Sequence, residues 1–279
     1  MTSGPSAIRQ VDTHTHLVSD DELAYPLNPP AGMTEPWYRE DPCTVERLLA
    51  MMREAEVDRA LIVQAISAYG FDNRYAIDSV RRFPSHCASV VYLDLAAPDS
   101  AVELRRLVRD DGVRGLRWAA FGEIGLAEPA SMWREVAALA IPVVVTILGE
   151  RLRELATVIP TLPAPIPLAL DHCGFADFSS GIPADLAALA AFPNLHLKVS
   201  TIALRSIERH GDVCDGLAEL AACFGADRLM WGSDYSQTHD RAYPDLAEYA
   251  RHAASKLDDA ARASFLAGTA LALWPELAR

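Results

Sequence analysis

The sequence predicts an α/β protein folded as one (β/α)8, or TIM, barrel over residues 1–279. Three observations carry that prediction. Short apolar, β-branched runs recur eight times along the chain. Each is followed by a longer stretch with helical periodicity, and after a first gap of about 50 residues the runs start roughly 25 to 35 residues apart, the length of a strand–helix unit. The glycine-rich turns of an open, doubly wound sheet, GxGxxG or GxxxxGK followed by Ser or Thr, do not occur.

The first strand is expected at residues 8–11, followed by a long proline-rich loop from Ser19 to Pro42. Loops of that length at the mouth of a barrel serve as lids or specificity elements. Thr44 is placed to cap a helix over 45–56, with Leu48, Leu49, Met52 and Ala55 as its apolar stripe. The second strand falls at 60–65, and Asp72 is the expected cap of a helix over 73–82. The third falls at 88–93, with Pro98 opening the first turn before a helix over 99–109. Strands at 113–118 and 143–148 follow, each with its helix, over 131–140 and 150–159. The proline-dense stretch 160–167 fits a helix-to-strand connection. The last three strands are expected at 168–170, 195–199 and 228–231, with helices over 184–192, 206–224 and 245–256. A helical pair over 258–266 and 269–277 ends the chain. Several runs are apolar on both faces, as parallel strands covered on each side must be. With no linker and no low-complexity tract, a single domain is expected.

Composition narrows the partners. Lys and Arg number 25 against 38 Asp and Glu, a formal charge of −13. That excess repels phosphate backbones and anionic lipid, so the expected partner is a small molecule rather than nucleic acid or a membrane. An anionic substrate stays open if a few arginines line the pocket. Hydrophobic residues make up 51% of the chain, enough to bury a sizeable core. Five scattered cysteines form no CxxC pair, residues 1–10 lack the features of a signal peptide, and no apolar run reaches the roughly 18 residues of a membrane span. A cytoplasmic setting is the simplest expectation, and a homo-oligomer is left open.

The unusual polar residues fall at the C-terminal ends of the predicted strands, where barrels of this kind carry function. After the first strand come Asp12-Thr13-His14-Thr15-His16, and residues two apart on a strand share a face, so His14 and His16 are expected to turn toward the barrel axis together. Two imidazoles at that spacing hold a divalent metal or flank a substrate. The sixth strand ends in Asp171-His172-Cys173-Gly174 and the eighth in Trp231-Gly232-Ser233-Asp234-Tyr235. Each piece alone is weak: a lone histidine is commonly structural and an aspartate after a strand commonly a turn residue. Three histidines and an aspartate at strand ends of one barrel make a site.

Those segments, with Val11 and Leu17 flanking the first, resemble the amidohydrolase superfamily. More narrowly they resemble its amidohydrolase-2 branch, which contains lactonases and nonoxidative decarboxylases. Val57-Asp58-Arg59-Ala60, Val63-Gln64, Gly112-Val113-Arg114-Gly115-Leu116-Arg117, Leu197-Lys198-Val199-Ser200 and Leu273-Trp274-Pro275 extend the resemblance over most of the chain. The lactonases that open 2-pyrone-4,6-dicarboxylate and sugar lactones are the most similar subgroup. The resemblance implies that His14 and His16 are the first-strand pair, His172 the sixth-strand histidine and Asp234 the proton-transfer aspartate. Two departures matter. The fourth strand offers no lysine to bridge two metals as a carbamate, which argues against a binuclear centre. The fifth ends in Thr146, where hydrolases with fuller metal sets and the decarboxylases carry histidine, which favours a mononuclear or metal-free site and a lactonase.

Opening a cyclic ester requires an activated water, a polarised carbonyl and a grip on the substrate. Asp234 is the expected general base, with His172 beside it as a catalytic residue. One divalent ion, zinc or manganese, would be held by His14 and His16, with His172 and Asp234 as further ligands. Without a metal, the same histidines would donate to the oxyanion; the residues leave both routes open. Arg117, nearer the strand end than Arg114, is the better carboxylate-binding candidate, an ordinary salt bridge being the alternative. Arg205, after the seventh strand, and Tyr25, in the long loop, are expected to reach the mouth. Trp37, Tyr38, Tyr235 and His239 are expected to line it, unless they only pack the loops down. Ser200, Ser233 and Ser236 lack a GxSxG elbow, and His86, His196, His210 and His252 are assigned no role. The expected activity is therefore hydrolysis of a lactone of a small, carboxylated or sugar-derived substrate. A metal-dependent decarboxylase is the alternative, and a non-catalytic binding barrel the third possibility.

Overall fold

Apolar runs flanked by helical segments pair in parallel and in chain order. In the computed structural model, which describes residues 9–32, 36–120 and 130–279, the strands are β1 (Val11–Thr15), β2 (Arg59–Val63), β3 (Cys87–Tyr92), β4 (Gly115–Ala120), β5 (Val143–Ile147), β6 (Leu168–Leu170), β7 (Leu195–Ser200) and β8 (Leu229–Gly232). Neighbours along the chain are neighbours in one eight-stranded sheet. The sheet closes where Thr15 pairs in parallel with Tyr235 just beyond β8 and the Asp234 amide donates to the His14 carbonyl at 2.8 Å. This is the expected (β/α)8 barrel.

Differences in detail have local causes. Ile8, expected to open the first strand, lies outside the described residues, and so do residues 33–35 of the long loop. The fourth strand starts two residues later than expected, because the Val113 amide still donates to Leu107 O at the end of the preceding helix. The helix expected over 206–224 is two helices, Thr201–Glu208 and Val213–Phe224, with Asp212 capping the second through the amides of Cys214 and Asp215. Thr44 caps its helix as expected, accepting from the Arg47 amide. Asp72 instead holds the backbone and guanidinium of Arg74.

Two apolar clusters flank the strands. Ile62, Leu116, Trp118, Val145, Leu197 and Trp231 belong to the outer one, packed against the helices. Val11, Leu61, Val63, Val90, Val144, Ala169 and Met230 belong to the inner one, into which the C-terminal segment inserts fully buried Trp274. Its indole N–H donates to Arg114 O at 3.0 Å, so the burial leaves no polar group unpaired. Strict alternation then dictates what faces the axis nearer the mouth. Val144 is inside, so Thr146 is inside; Ala169 leads to Asp171; Leu197 and Val199 are outside, so Lys198 and Ser200 turn in.

β1 breaks the pattern. Val11 lies in the inner cluster, and strict alternation from it would carry Thr13 and Thr15 inward. The pairing register with β2 slips between Asp12 and Thr15, and His14 and His16 turn in instead.

Candidate active site

Four side chains predicted from strand ends meet on the barrel axis. His14 Nε2 lies 3.2 Å from His16 Nε2. Asp234 Oδ1 stands 3.6 Å from each of those nitrogens and 3.9 Å from His172 Nε2. All four residues are buried, the most exposed at 3%. The close approach depends on Gly232: a Cβ there would sit 2.8 Å from His14 Cβ.

The other face of each ring is anchored. His16 Nδ1 donates to the Val63 carbonyl at 2.9 Å, and a carbonyl only accepts, so that nitrogen carries the proton and Nε2 presents a lone pair. His14 Nδ1 donates to Asp171 Oδ1 at 3.0 Å, again leaving Nε2 bare. His172 Nδ1 shares a 2.7 Å hydrogen bond with Ser200 Oγ. Asp234 Oδ2 accepts from Thr238 Oγ1 at 2.9 Å, while its buried Oδ1 has no hydrogen-bond partner among the described residues.

Charge is arranged in two tiers. Below the histidines, Asp171 accepts from Thr146 Oγ1 at 2.7 Å and lies 3.2 Å from Lys198 Nζ and 3.5 Å from the Arg117 guanidinium. Burial alone would push the Asp171 carboxyl up, yet His14 and Lys198 hold it well below the usual carboxylate range. Burial pushes His14 and His172 down. Burial would also raise Asp234, but His172 and the two first-strand rings outweigh it and carry it down to about 2. Asp12 is pushed up to about 6 by burial; its oxygens accept from the His14 and Ser233 amides and the Tyr243 hydroxyl, tying β1 to β8.

Bare nitrogens and a carboxylate oxygen pointing at one another repel unless a cation lies among them. A tetrahedral zinc with bonds of about 2.1 Å sets its ligand atoms roughly 3.4 Å apart. The separations among His14, His16 and Asp234, and that from Asp234 to His172, run from 3.2 to 3.9 Å, close to that spacing. The ligand atoms of His14, His172 and Asp234 lie within 4.8 Å of one another, and the hydrogen-bonded Nδ1 atoms supply the outer contacts that orient metal-binding histidines.

Two of these residues sit on unusual backbone. His172, Cys173, Gly174 and Phe175 all have positive φ, at 55°, 51°, 67° and 51°, and Asp234 has φ 64°. Each non-glycine residue in that region costs about 1–2 kcal/mol. Packing closes over the turn: a Cβ at Gly174 would sit 2.6 Å from Leu152 Cδ2, so a side chain there would add strain and displace that leucine. Strain of this kind concentrates at functional sites.

The remaining candidates are placed as follows. Arg117 is inside the barrel, 6% exposed, donating to Thr146 Oγ1 at 3.1 Å and Gln64 O at 3.0 Å besides facing Asp171. Arg114 points the other way, to Glu276 at 3.2 Å. Tyr235 is buried, but its hydroxyl turns to Asp41 at 2.7 Å and accepts from Arg47 at 3.1 Å. His239 stands 3.4 Å from Glu40. Both contacts tie the loop after β8 to the loop after β1. Trp37, in that second loop, packs against the His16 ring with centroids 5.6 Å apart and donates to Ser67 Oγ at 2.9 Å. Arg205 pairs with Asp240 at 2.9 Å, and the Tyr25 hydroxyl donates to Asp78 at 2.9 Å. Sequence reasoning assigned no role to Asp171, Lys198, Thr146 or Ser200. The parity of β7, where a lysine interrupts Leu197 and Val199 at an inward position, was the available signal.

The amidohydrolase family model matches residues 11–275. The chain belongs to the amidohydrolase family. Among curated proteins, this amidohydrolase is 29% identical to an L-fucono-1,5-lactonase of Burkholderia ambifaria over 252 residues, covering 81% of this chain and 80% of that one. Among solved structures, it resembles a probable 2-pyrone-4,6-dicarboxylic acid hydrolase from Acinetobacter baumannii with citric acid bound, at a TM-score of 0.76 and 18% identity over 96% and 99% of the two chains. It also resembles a zinc-bound amidohydrolase from Burkholderia multivorans, at a TM-score of 0.71 and 23% identity over 95% and 99%. At those identities the two structures speak to the fold. Among the described residues, no helix is long and apolar enough to cross a membrane.

Proposed function

We propose that this amidohydrolase hydrolyses a lactone of a small, carboxylated or sugar-derived molecule, with Asp234 as general base. The observation that carries the proposal is the buried Asp234 Oδ1, without a hydrogen-bond partner among the described residues, facing the Nε2 atoms of three buried histidines. The 29% identical relative bears the name of a sugar lactonase, which supports the same class of bond. Thr146 in place of a fifth-strand histidine supports the lactonase over a decarboxylase.

A divalent ion held by His14, His16 and His172, beside Asp234, would polarise the ester carbonyl and acidify a water. The protein's own part begins at Asp234 Oδ1, which is positioned to accept a proton from the attacking water. The water oxygen bonds to the acyl carbon, the ring carbon–oxygen bond breaks, and the proton held by Asp234 passes to the leaving ring oxygen. One water is consumed and a hydroxy acid results. Below this, Asp171 holds His14, and Ser200 holds His172, in fixed orientation throughout. For a metal-free route, His14 or His16 would have to donate from Nε2, which demands an imidazolium because Nδ1 already carries a proton. The depressed His14 pKa opposes that, so the cation-bound form is the one proposed.

We further place the enzyme in the cytoplasm as a single domain over residues 1–279, acting on a diffusible substrate. Support comes from the extent of the family match and from the cysteines, all free. The test is turnover of a carboxylated 2-pyrone and of an aldono-1,5-lactone, followed as acid release by a pH indicator. Ring opening by the wild type that is lost in Asp234→Asn is expected. Release of carbon dioxide without ring opening would replace the lactonase with the decarboxylase.

A further inference from the structure

Among the described residues, two aromatic rings touch histidines of the cluster, and they differ in what else they do. Trp37, against His16, is 4% exposed and its one polar atom is already committed to Ser67. Phe175, against His172 with centroids 4.6 Å apart, is 37% exposed. A phenylalanine left that open costs apolar hydration that a core position would have removed. Its backbone is also held in the unfavourable left-handed region, at φ 51°.

The left-handed turn explains why both features coexist. In a turn with three residues per repeat, positions i and i+3 eclipse. His172 and Phe175 are such a pair, so the turn that aims the imidazole at Asp234 also stacks Phe175 beside it. The loop after β5 secures the arrangement, since a Cβ at Gly149 would sit 3.3 Å from Phe175 O and 3.4 Å from Gly174 O. Leu148, the residue before that glycine, is itself 36% exposed. An open ring is thereby fixed next to a reacting-centre histidine, on the C-terminal side of β6.

We propose that Phe175 is a specificity-determining residue: its open ring is the surface on which a six-membered lactone ring lies while the ester carbonyl sits at the histidine–Asp234 cluster. This rests on the lactonase activity proposed above. The ligand chemistry is a ring face offered to an aromatic ring, and it has two sources: the planar π-face of an unsaturated pyrone, or the C–H face of a saturated sugar lactone.

The test compares wild type, Phe175→Ala and Phe175→Leu on a carboxylated 2-pyrone and an aldono-1,5-lactone, with thermal melting as the fold control. Phe175→Ala should raise KM about tenfold for each lactone the wild type opens, with kcat within about threefold, and leucine should recover part of the loss. A KM increase confined to the pyrone identifies the π-face, and one confined to the sugar lactone, or equal for both, identifies the C–H face. An unchanged KM overturns the proposal, as does a fall in kcat alone that matches His172→Ala, because the ring then only props the histidine. If the wild type opens neither lactone, the lactonase proposal fails on its own terms, and saturation-transfer NMR of both compounds decides Phe175. Binding by wild type that is lost in Phe175→Ala sustains its role. Equal binding, or none to either protein, removes it.

Discussion

Asparagine at position 171 would test how the two tiers of charge hold the site. Asp171 faces four donors, His14, Thr146, Lys198 and Arg117, at 3.0, 2.7, 3.2 and 3.5 Å. The substitution keeps the shape but removes the charge and turns an amide N–H₂ toward one pair of donors. Removing one partner of a buried ion pair costs about 3–5 kcal/mol, because the other charge stays buried. Lys198 has an escape: burial already pulls its pKa down, and it can shed its proton. A loss of about 3 kcal/mol at pH 7 is therefore expected, within the roughly 5–15 kcal/mol of an ordinary domain. The sign with pH follows. In the variant the folded chain binds fewer protons at Lys198 than the unfolded chain does, so the deficit should shrink as pH rises from 7 to 9.

Urea denaturation of wild type, Asp171→Asn, Lys198→Met and the double variant would measure the pair. Removing both charges should recover about half of the loss, a coupling of at least about 1.5 kcal/mol at constant m. Turnover should fall about 10- to 100-fold in Asp171→Asn, because His14 loses the anionic partner that fixes its orientation. Additive effects, with coupling under about 0.5 kcal/mol, would refute the buried ion pair as the element holding the site.

Three further outcomes follow from the geometry. Asp234→Asn should lower kcat by about 10²–10⁴ with melting little changed; since Asp234 is carried down to about 2, it stays ionised across pH 5–9, and kcat/KM should fall on the acid side only as the buried histidines gain protons, below their ordinary range. Protein purified without chelator should carry about one equivalent of zinc or manganese by elemental analysis, lost in a His14→Ala/His16→Ala variant; a metal-free protein with full activity would contradict the cation-bound site. Gly232→Ala should cost about 1–3 kcal/mol in urea denaturation and reduce activity, because the added Cβ presses on His14.

The barrel and its central residues were legible because they depend on local pattern. Apolar runs at strand–helix spacing produced all eight strands, and His14, His16, His172 and Asp234 were found because a polar residue at a strand end is conspicuous. What stayed hidden depends on contacts between distant strands. Asp171 was read beside His172 without a role, since nothing in β6 reveals that Lys198 on β7, Thr146 on β5 and Arg117 on β4 converge on it. Arg117 was read as a grip for substrate carboxylate because it stands nearer the strand end than Arg114, with a salt bridge as the alternative; three of its contacts are to the protein itself, Asp171 among them. Even the agreement at His14 and His16 has an unforeseen cause. The spacing put them on one face, but the register slip in β1 decides that the face is the inner one.

The proposed base and the first-strand histidines also lie on backbone shared by the barrel's closure. The Asp234 amide donates to His14 O, the Asp12 carboxylate holds the His14 and Ser233 amides, and Gly232 leaves the gap that His14 fills. Shifting His14 would thus strain the β1–β8 seam, and opening the seam would move Asp234 from the rings it faces. By contrast, Trp37 reaches the cluster from beyond the strands, its indole N–H donating to Ser67, and Phe175 stands at the far end of the turn that carries His172. Exchange of the Trp37 or Phe175 side chain can therefore change substrate preference while the backbone that carries the proposed base stays in place, whereas a change at the seam must degrade fold and chemistry together.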